Sequence, residues 1–289
     1  MDVGLLRVGD PADVIELRDL TNFEVMRTWI DGQLVAQGGK TLLQRVEPVI
    51  ANNFNCPPIA AESLAIAVPD VWNANPPAVP KVRVIVALDG QLVTEELPET
   101  PTIRAGQIVA DVERDLLKMV LIDRYGGGSP AICLIKNFGL KSGAIASSVS
   151  HDSHNILAVG TNDVDLARAV NVLIEARGGI SLVDGDHSDV LPLPIAGLMS
   201  AGEGKAVAAD YSRLDAAAKA LGSTLGAAVY DALFHGPHRH PGAEAGTRRI
   251  VRCLEVLLCE NGGVIFSRYP HPTPISFFPA RHEPTPRHA

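Results

Sequence analysis

The chain has 289 residues, 46% hydrophobic and 20% charged, which is the make-up of a folded globular protein long enough for one large domain or two ordinary ones. Its formal net charge of −8 argues against a nucleic-acid or anionic-membrane binder, which would need a basic face. No run reaches the roughly 18 apolar residues of a membrane span. The start, MDVGLLRVGDPADV, has no basic segment followed by an apolar block, so no signal peptide is expected. Cys56, Cys133, Cys253 and Cys259 are widely spaced without a CxxC, which favours reduced thiols and a cytoplasmic location.

In chain order, Leu5–Val8, Val14–Leu17, Glu24–Ile30 and Leu34–Ala36 read as strands, with Asp31-Gly32 as a two-residue turn that needs positive φ at both positions. Residues 41–80 are broken by seven prolines and offer one short strand, Leu64–Val68. Lys81–Leu97 reads as a hairpin turning at Asp89-Gly90. Leu116–Asp123, Ile132–Ile135, Ala144–Val149 and Ile156–Val159 are further strands. A helix follows, capped by Thr161, with Asp163 and Asp165 in its first turn, an apolar stripe of Val164, Ala167, Val170 and Ile174, and a stop at Gly178. A second helix is expected from about Lys205 to Leu221, with Val207, Tyr211, Leu214, Ala218 and Leu221 on one face. Strands mixed with helices in this order predict an α/β fold. The tail from Tyr230 differs in kind, holding six of the nine histidines and eight of the 21 prolines.

Chemistry concentrates in His151-Asp152-Ser153-His154-Asn155, where two imidazoles, a carboxylate, a hydroxyl and an amide sit between apolar strands. Such a knot at a strand end is either a site, with histidine as acid, base or ligand, or a turn in which Asp152, Ser153 and Asn155 bond the local backbone. An HxxH pair without a third ligand is a weak metal signal. Tyr125-Gly126-Gly127-Gly128 reads as an inter-strand loop, with close approach of a ligand to its backbone as the alternative. Arg124, beside these glycines, reads as a solvated surface residue, with anion binding as the alternative. Cys133 reads as a core thiol. His235-Gly236-Pro237-His238-Arg239-His240 has the look of a metal site.

The segment GLLRVGDPADVIELRDLTNFEVMRTWIDGQLV (Gly4–Val35) resembles the closing strands of the small β domain of amidohydrolase-superfamily enzymes. IDRYGGG (Ile122–Gly128), FGLKSGAIASSVSHDSHNILAVGTND (Phe138–Asp163) and LPLPIAGLMS (Leu191–Ser200) are more specific and resemble the C-terminal domain of the adenine deaminase family. The resemblance covers residues 4 to 228. It implies an α/β domain with a mixed sheet and flanking helices over 45–228, preceded over 1–44 by strands of the β domain. It implies hydrolysis of adenine to hypoxanthine and ammonia, in purine salvage, with a divalent metal pair (Mn or Fe) held in a (β/α)8 barrel. That barrel would lie upstream of Met1, so this chain is expected to offer no metal ligands and to be inactive alone. Adenine is then the substrate of the full enzyme, with a second copy of the chain or a separate barrel chain as partner. His151, Asp152 and His154 are the residues expected near the catalytic centre, with Ser153 and Asn155 as substrate-binding residues. A stand-alone purine-binding or assembly domain, an amidohydrolase of other specificity, and a decayed gene are the rival readings.

The family's terminal apolar stretch is replaced here by AVYDALFHGPHRHPGAEAG. Codons for these residues, read one base later, can encode PFMTLSFMALIVIPELKL, a close likeness of the expected ending. A frame slip near Gly226–Ala228 would make residues 229–289 an out-of-frame, disordered tail and remove the His235–His240 cluster as a ligand set.

Overall fold

A computed structural model of the chain describes residues 7–70, 72, 80–91, 94–150 and 153–226, together with the backbone of two short strands, Leu258–Glu260 and Gly263–Ile265. It divides into two compact units, Met1–Val49 and Ile50–Ala289. The first is an antiparallel meander of β1 (Val14–Leu17), β2 (Val25–Ile30), β3 (Gln33–Gln37) and β4 (Lys40–Thr41). The turn between β2 and β3 has the expected geometry, with φ of 49° at Asp31 and 71° at Gly32. The Asp13 carboxylate fixes that turn by accepting the Asp31 N–H at 2.7 Å.

The second unit contains a small antiparallel sheet and a large mixed one. The small sheet pairs β5 (Ile66–Ala67) with β9 (Gln107–Val109), and β9 with β8 (Thr102–Arg104). The segment expected as one strand, Leu64–Val68, is split into a 3₁₀ turn, Ala61–Leu64, and the two residues of β5. The large sheet is built from β6 (Lys81–Val86), β7 (Glu95–Glu99), β10 (Leu117–Ile122), β11 (Ala131–Lys136), β12 (Ala144–Ser147), β13 (Ile156–Gly160), β14 (Gly179–Asp184) and β15 (His187–Pro192). Their order is β15-β14-β12-β13-β10-β11-β6, with β7 on the far side of β6. β11 and β6 run parallel and the other pairs run antiparallel. β6 and β7 form the expected hairpin. Two short tail strands, β16 (Leu258–Glu260) and β17 (Gly263–Ile265), add to β6 at Lys81 and Val82. The rest of the tail, with His235–His240, lies outside the described residues.

Both faces of the large sheet are covered, so its central strands are buried at every position instead of alternating with solvent. α1 (Asp163–Glu175) lies on the face that carries Val120, Ile122, Ala144, Ala146, Ile156 and Ala158. α2 (Gly204–Ala220) sets Leu214 and Ala218 against the face that carries Met119, Leu121, Ile145 and Leu182. The result is an α/β fold with a mixed sheet and flanking helices, as expected from the sequence. α1 packs very close to the sheet, since a Cβ on Gly160 would stand 2.7 Å from Leu166 Cγ.

The α1 stripe differs from the expected one. Leu166, Ala167, Ala169, Val170 and Leu173 are buried and Val164 is exposed. The two leucines, being the largest apolar groups, turn the helix by about one residue to fill the sheet side. Thr161 is not the cap: its hydroxyl donates to the Gly143 carbonyl at 3.1 Å, while Asn162 Oδ1 accepts the Asp165 N–H at 2.8 Å. In α2 the expected face holds, with Val207, Tyr211 and Leu221 packed around the buried Leu214 and Ala218.

Candidate functional site

The pairing registers bring five chain segments to one end of the large sheet. Ile122 at the close of β10 faces Ile156 at the start of β13, Leu157 faces Ser147 at the close of β12, and Ser147 faces Ile180. Gly179 in turn faces Pro192 at the close of β15. Asp123–Gly128, Ser148–Ser150, Ser153–Asn155, Arg177–Gly179 and Leu193–Ser200 are therefore neighbours, although up to 77 residues separate them in sequence. Asn52 ties two of these segments, donating from Nδ2 to the carbonyls of Arg177 at 2.7 Å and Pro194 at 3.0 Å.

Arg124 lies at the centre of this end and corrects the expectation of a solvated residue, being only 3% exposed. Its register explains the burial. It continues the alternation of Val120 and Ile122, which places its side chain on the α1 face of the sheet with Phe54. Nη1 donates to the Ala196 carbonyl at 2.7 Å and Nη2 to the Tyr125 hydroxyl at 2.9 Å. The guanidinium also sits over the rings of Phe54, at 5.7 Å, and Tyr125, at 4.8 Å. Gly197 has φ of 69°, and a Cβ there would collide with Nη1, so the glycine is needed for both backbone and contact. Ser148 Oγ accepts the Gly179 N–H at 2.8 Å and donates to the Gly197 carbonyl at 2.6 Å, so Ser148 and Arg124 grip the same dipeptide.

His151 and Asp152 lie outside the described residues. Ser153, His154 and Asn155 are half-buried at this sheet end. The His154 N–H donates to the Ser150 carbonyl at 2.6 Å, closing a turn in which His154 has φ of 53°. Ser153 Oγ accepts the Asn155 N–H at 3.4 Å, so part of the turn reading holds for this segment. Two further polar atoms there are buried without a partner, Ser150 Oγ and Asn155 Oδ1. Left-handed backbone at the non-glycine residues His154, Arg177 and Ala196 concentrates strain at the same end, which is common where a fold serves a ligand.

The Tyr125–Gly128 stretch is the connection between β10 and β11, as expected, and Gly127 faces Pro57. Cys133 is a buried core thiol in β11. Burial, and next the Asp123 carboxylate, push the Cys56 thiol above its ordinary pKa, which disfavours a thiolate nucleophile. Among the described residues no three His, Cys, Asp or Glu side chains gather as a metal would require. These residues do not fit a metal pair. For Arg124 the sequence carries anion binding as the alternative reading, beside the glycines 126–128, and for Ser150 the one local signal is the serine-rich run after β12.

Comparison with known proteins places this arrangement. The family model described as "Adenine deaminase C-terminal domain" matches residues 91–239. The chain is 46% identical over 225 residues to an adenine deaminase of Methanosarcina barkeri, covering 78% of this chain and 41% of that protein. It is 45% identical over 230 residues to one of Salinibacter ruber, covering 78% and 40%. It is 36% identical over 225 residues to one of Borreliella burgdorferi, covering 77% and 39%. The chain thus spans about two fifths of the length of these relatives. No helix among the described residues is long and apolar enough to cross a membrane. The buried Arg124, the turn at His154 and the 193–200 loop all fall within the matched residues, and the chain belongs to the adenine deaminase C-terminal domain family.

Proposed function

We propose that this chain serves as the C-terminal part of an adenine deaminase, in the reaction adenine + water → hypoxanthine + ammonia. The observation that carries the proposal is the 36–46% identity to proteins of that name over some three quarters of the chain. The described residues do not fit a metal pair. Metal binding in the assembled enzyme would fall to residues outside this sequence, and the enzyme would work in the cytoplasm, with a second copy or a barrel chain as partner.

The part played by this chain lies at the sheet end. His151, Asp152 and His154 would face the catalytic centre, with Ser153 and Asn155 toward the purine. His154 is half-buried at a left-handed backbone position. Histidine is the side chain most often used as a general acid or base, which is the role proposed for His154. The domain limits proposed are 1–44, 45–228 and 229–289, with a frame slip near codon 227 accounting for the last. The matched stretch ends at residue 239, so the nucleotide sequence across codons 220–245 decides that point.

The test is ammonia release from adenine. The purified chain with added Mn²⁺ or Fe²⁺ is expected to give none above the uncatalysed rate, and robust turnover by the chain alone would contradict the division of labour proposed. In a complete enzyme carrying this domain, His154→Ala is expected to lower kcat while leaving the unfolding midpoint nearly unchanged.

A further inference from the structure

Arg124 carries a full positive charge in a place that water does not reach, yet among the described residues no carboxylate lies within ion-pair distance of it. Its partners are neutral: the Ala196 carbonyl, the Tyr125 hydroxyl and two ring faces. Its Nε–H is buried with no acceptor among the described residues. Burying a guanidinium is costly unless an opposite charge and a complete set of hydrogen bonds compensate it. The chain has 33 acidic residues, and the fold brings none of the described ones to this guanidinium.

A second unmet donor belongs to the same end of the sheet. Ser150 is fully buried and its Oγ has no partner. It follows by two residues Ser148, which grips the same Ala196-Gly197 dipeptide as Arg124. Tyr125, Gly126 and Gly128, which follow Arg124 in the chain, are exposed.

We propose that this end of the sheet is an oxyanion-binding site, in which Arg124 Nε–H and the Ser150 hydroxyl receive the oxygens of a small carboxylate or phosphate. Nη2 has a second hydrogen beyond the one given to Tyr125, so the Nε/Nη2 edge can engage two oxygens of one group, the arrangement in which arginine binds such anions best. The anion supplies the charge that the described residues do not. This site does not depend on the deamination proposed above, because adenine is neutral and would not satisfy Arg124.

The probe is the Arg124 Nε–H resonance of the ¹⁵N-labelled chain, assigned by its loss in Arg124→Gln and titrated separately with sodium acetate and inorganic phosphate against sodium chloride of equal ionic strength. A saturable displacement by acetate, by phosphate or by both is expected, and which of them acts gives the class of ligand. Ser150→Ala should raise the midpoint of that displacement about fivefold, the loss of one hydrogen bond. A resonance that neither anion moves, or that chloride moves equally, overturns the proposal. Should Arg124→Gln fail to fold, Arg124→Lys supplies the assignment, because it retains the charge and lacks the Nε–H.

Discussion

Lys118 is the most deeply buried charge in the β10–α1 core, and its removal separates two ways of counting an ion pair. It is 1% exposed on β10, and its Nζ donates to Asp163 Oδ1 at 2.7 Å, to Asp163 Oδ2 at 2.8 Å and to the Leu64 carbonyl at 2.9 Å. Asp163, 26% exposed at the first residue of α1, keeps contact with water and with the positive end of the helix. The two halves of the pair are therefore not equivalent. Asp163→Ala strands a buried ammonium, a loss of about 3–5 kcal/mol for a fully buried pair, and the exposure of Asp163 places the expected value near about 3. Lys118→Met keeps the volume, leaves Asp163 solvated, and costs chiefly the Leu64 carbonyl its donor, about 1–2 kcal/mol. The double variant should resemble Lys118→Met, which gives a coupling of about 3 kcal/mol, the whole loss of Asp163→Ala. Urea unfolding followed by circular dichroism measures all four proteins, and a difference of about 2 kcal/mol moves the midpoint by about 1 M at a slope of about 2 kcal/mol/M. Equal losses for the two single variants, or losses that simply add, would refute the reasoning.

Other consequences follow from neighbouring contacts. Asn162→Ala removes the α1 cap and should cost about 1 kcal/mol, while Asn162→Ser should restore most of it, both read by thermal unfolding. The Thr102 hydroxyl, as the largest influence, holds the Asp111 carboxyl below its ordinary value of 3.8, donating to Oδ2 at 2.6 Å. A carboxyl lowered in the folded state adds stability above its unfolded pKa and loses it as pH falls through the folded value. Thr102→Val should therefore move the Asp111 carboxyl titration upward by NMR and remove part of the stability present above about pH 4, so that less is lost on acidification. Free cysteine should outrun Cys56 in alkylation by iodoacetamide at pH 8, followed residue by residue by mass spectrometry, because burial and Asp123 disfavour its thiolate.

Much of this fold was legible where one local signal dominates. The apolar runs at 117–122, 131–136 and 156–160 declared themselves as strands, and the spacing of Leu214, Ala218 and their neighbours gave the face of α2. The α1 cap was misplaced by one residue because Thr161 and Asn162 both suit a cap, and only the Gly143 carbonyl, 18 positions away, claims the threonine. β14 and β15 have no counterpart among the strands expected from the sequence, although Asp184-Gly185 lies at their turn. The parallel contact of β11 with β6 has no local signature, as it joins residues some 50 positions apart.

The candidate site was half legible. The polar run from His151 to Asn155 marked the sheet end from composition alone. The burial of Arg124, read as solvated with anion binding as the alternative, was not legible, because the surroundings that bury it come from Phe54, 70 residues before, and Ala196, 72 after. Lys118 was concealed in the same way, its partner lying 45 positions away at the head of α1.

The most direct test of the central claim is a domain exchange. Residues 50–226 of this chain replace the matching segment of the Methanosarcina barkeri adenine deaminase, and ammonia release from adenine is measured on the folded chimera. Turnover within about tenfold of the parent is the expected result, a barrier change of about 1.4 kcal/mol. A chimera that folds and assembles like the parent yet releases no ammonia from adenine would contradict the assignment of this chain to that enzyme.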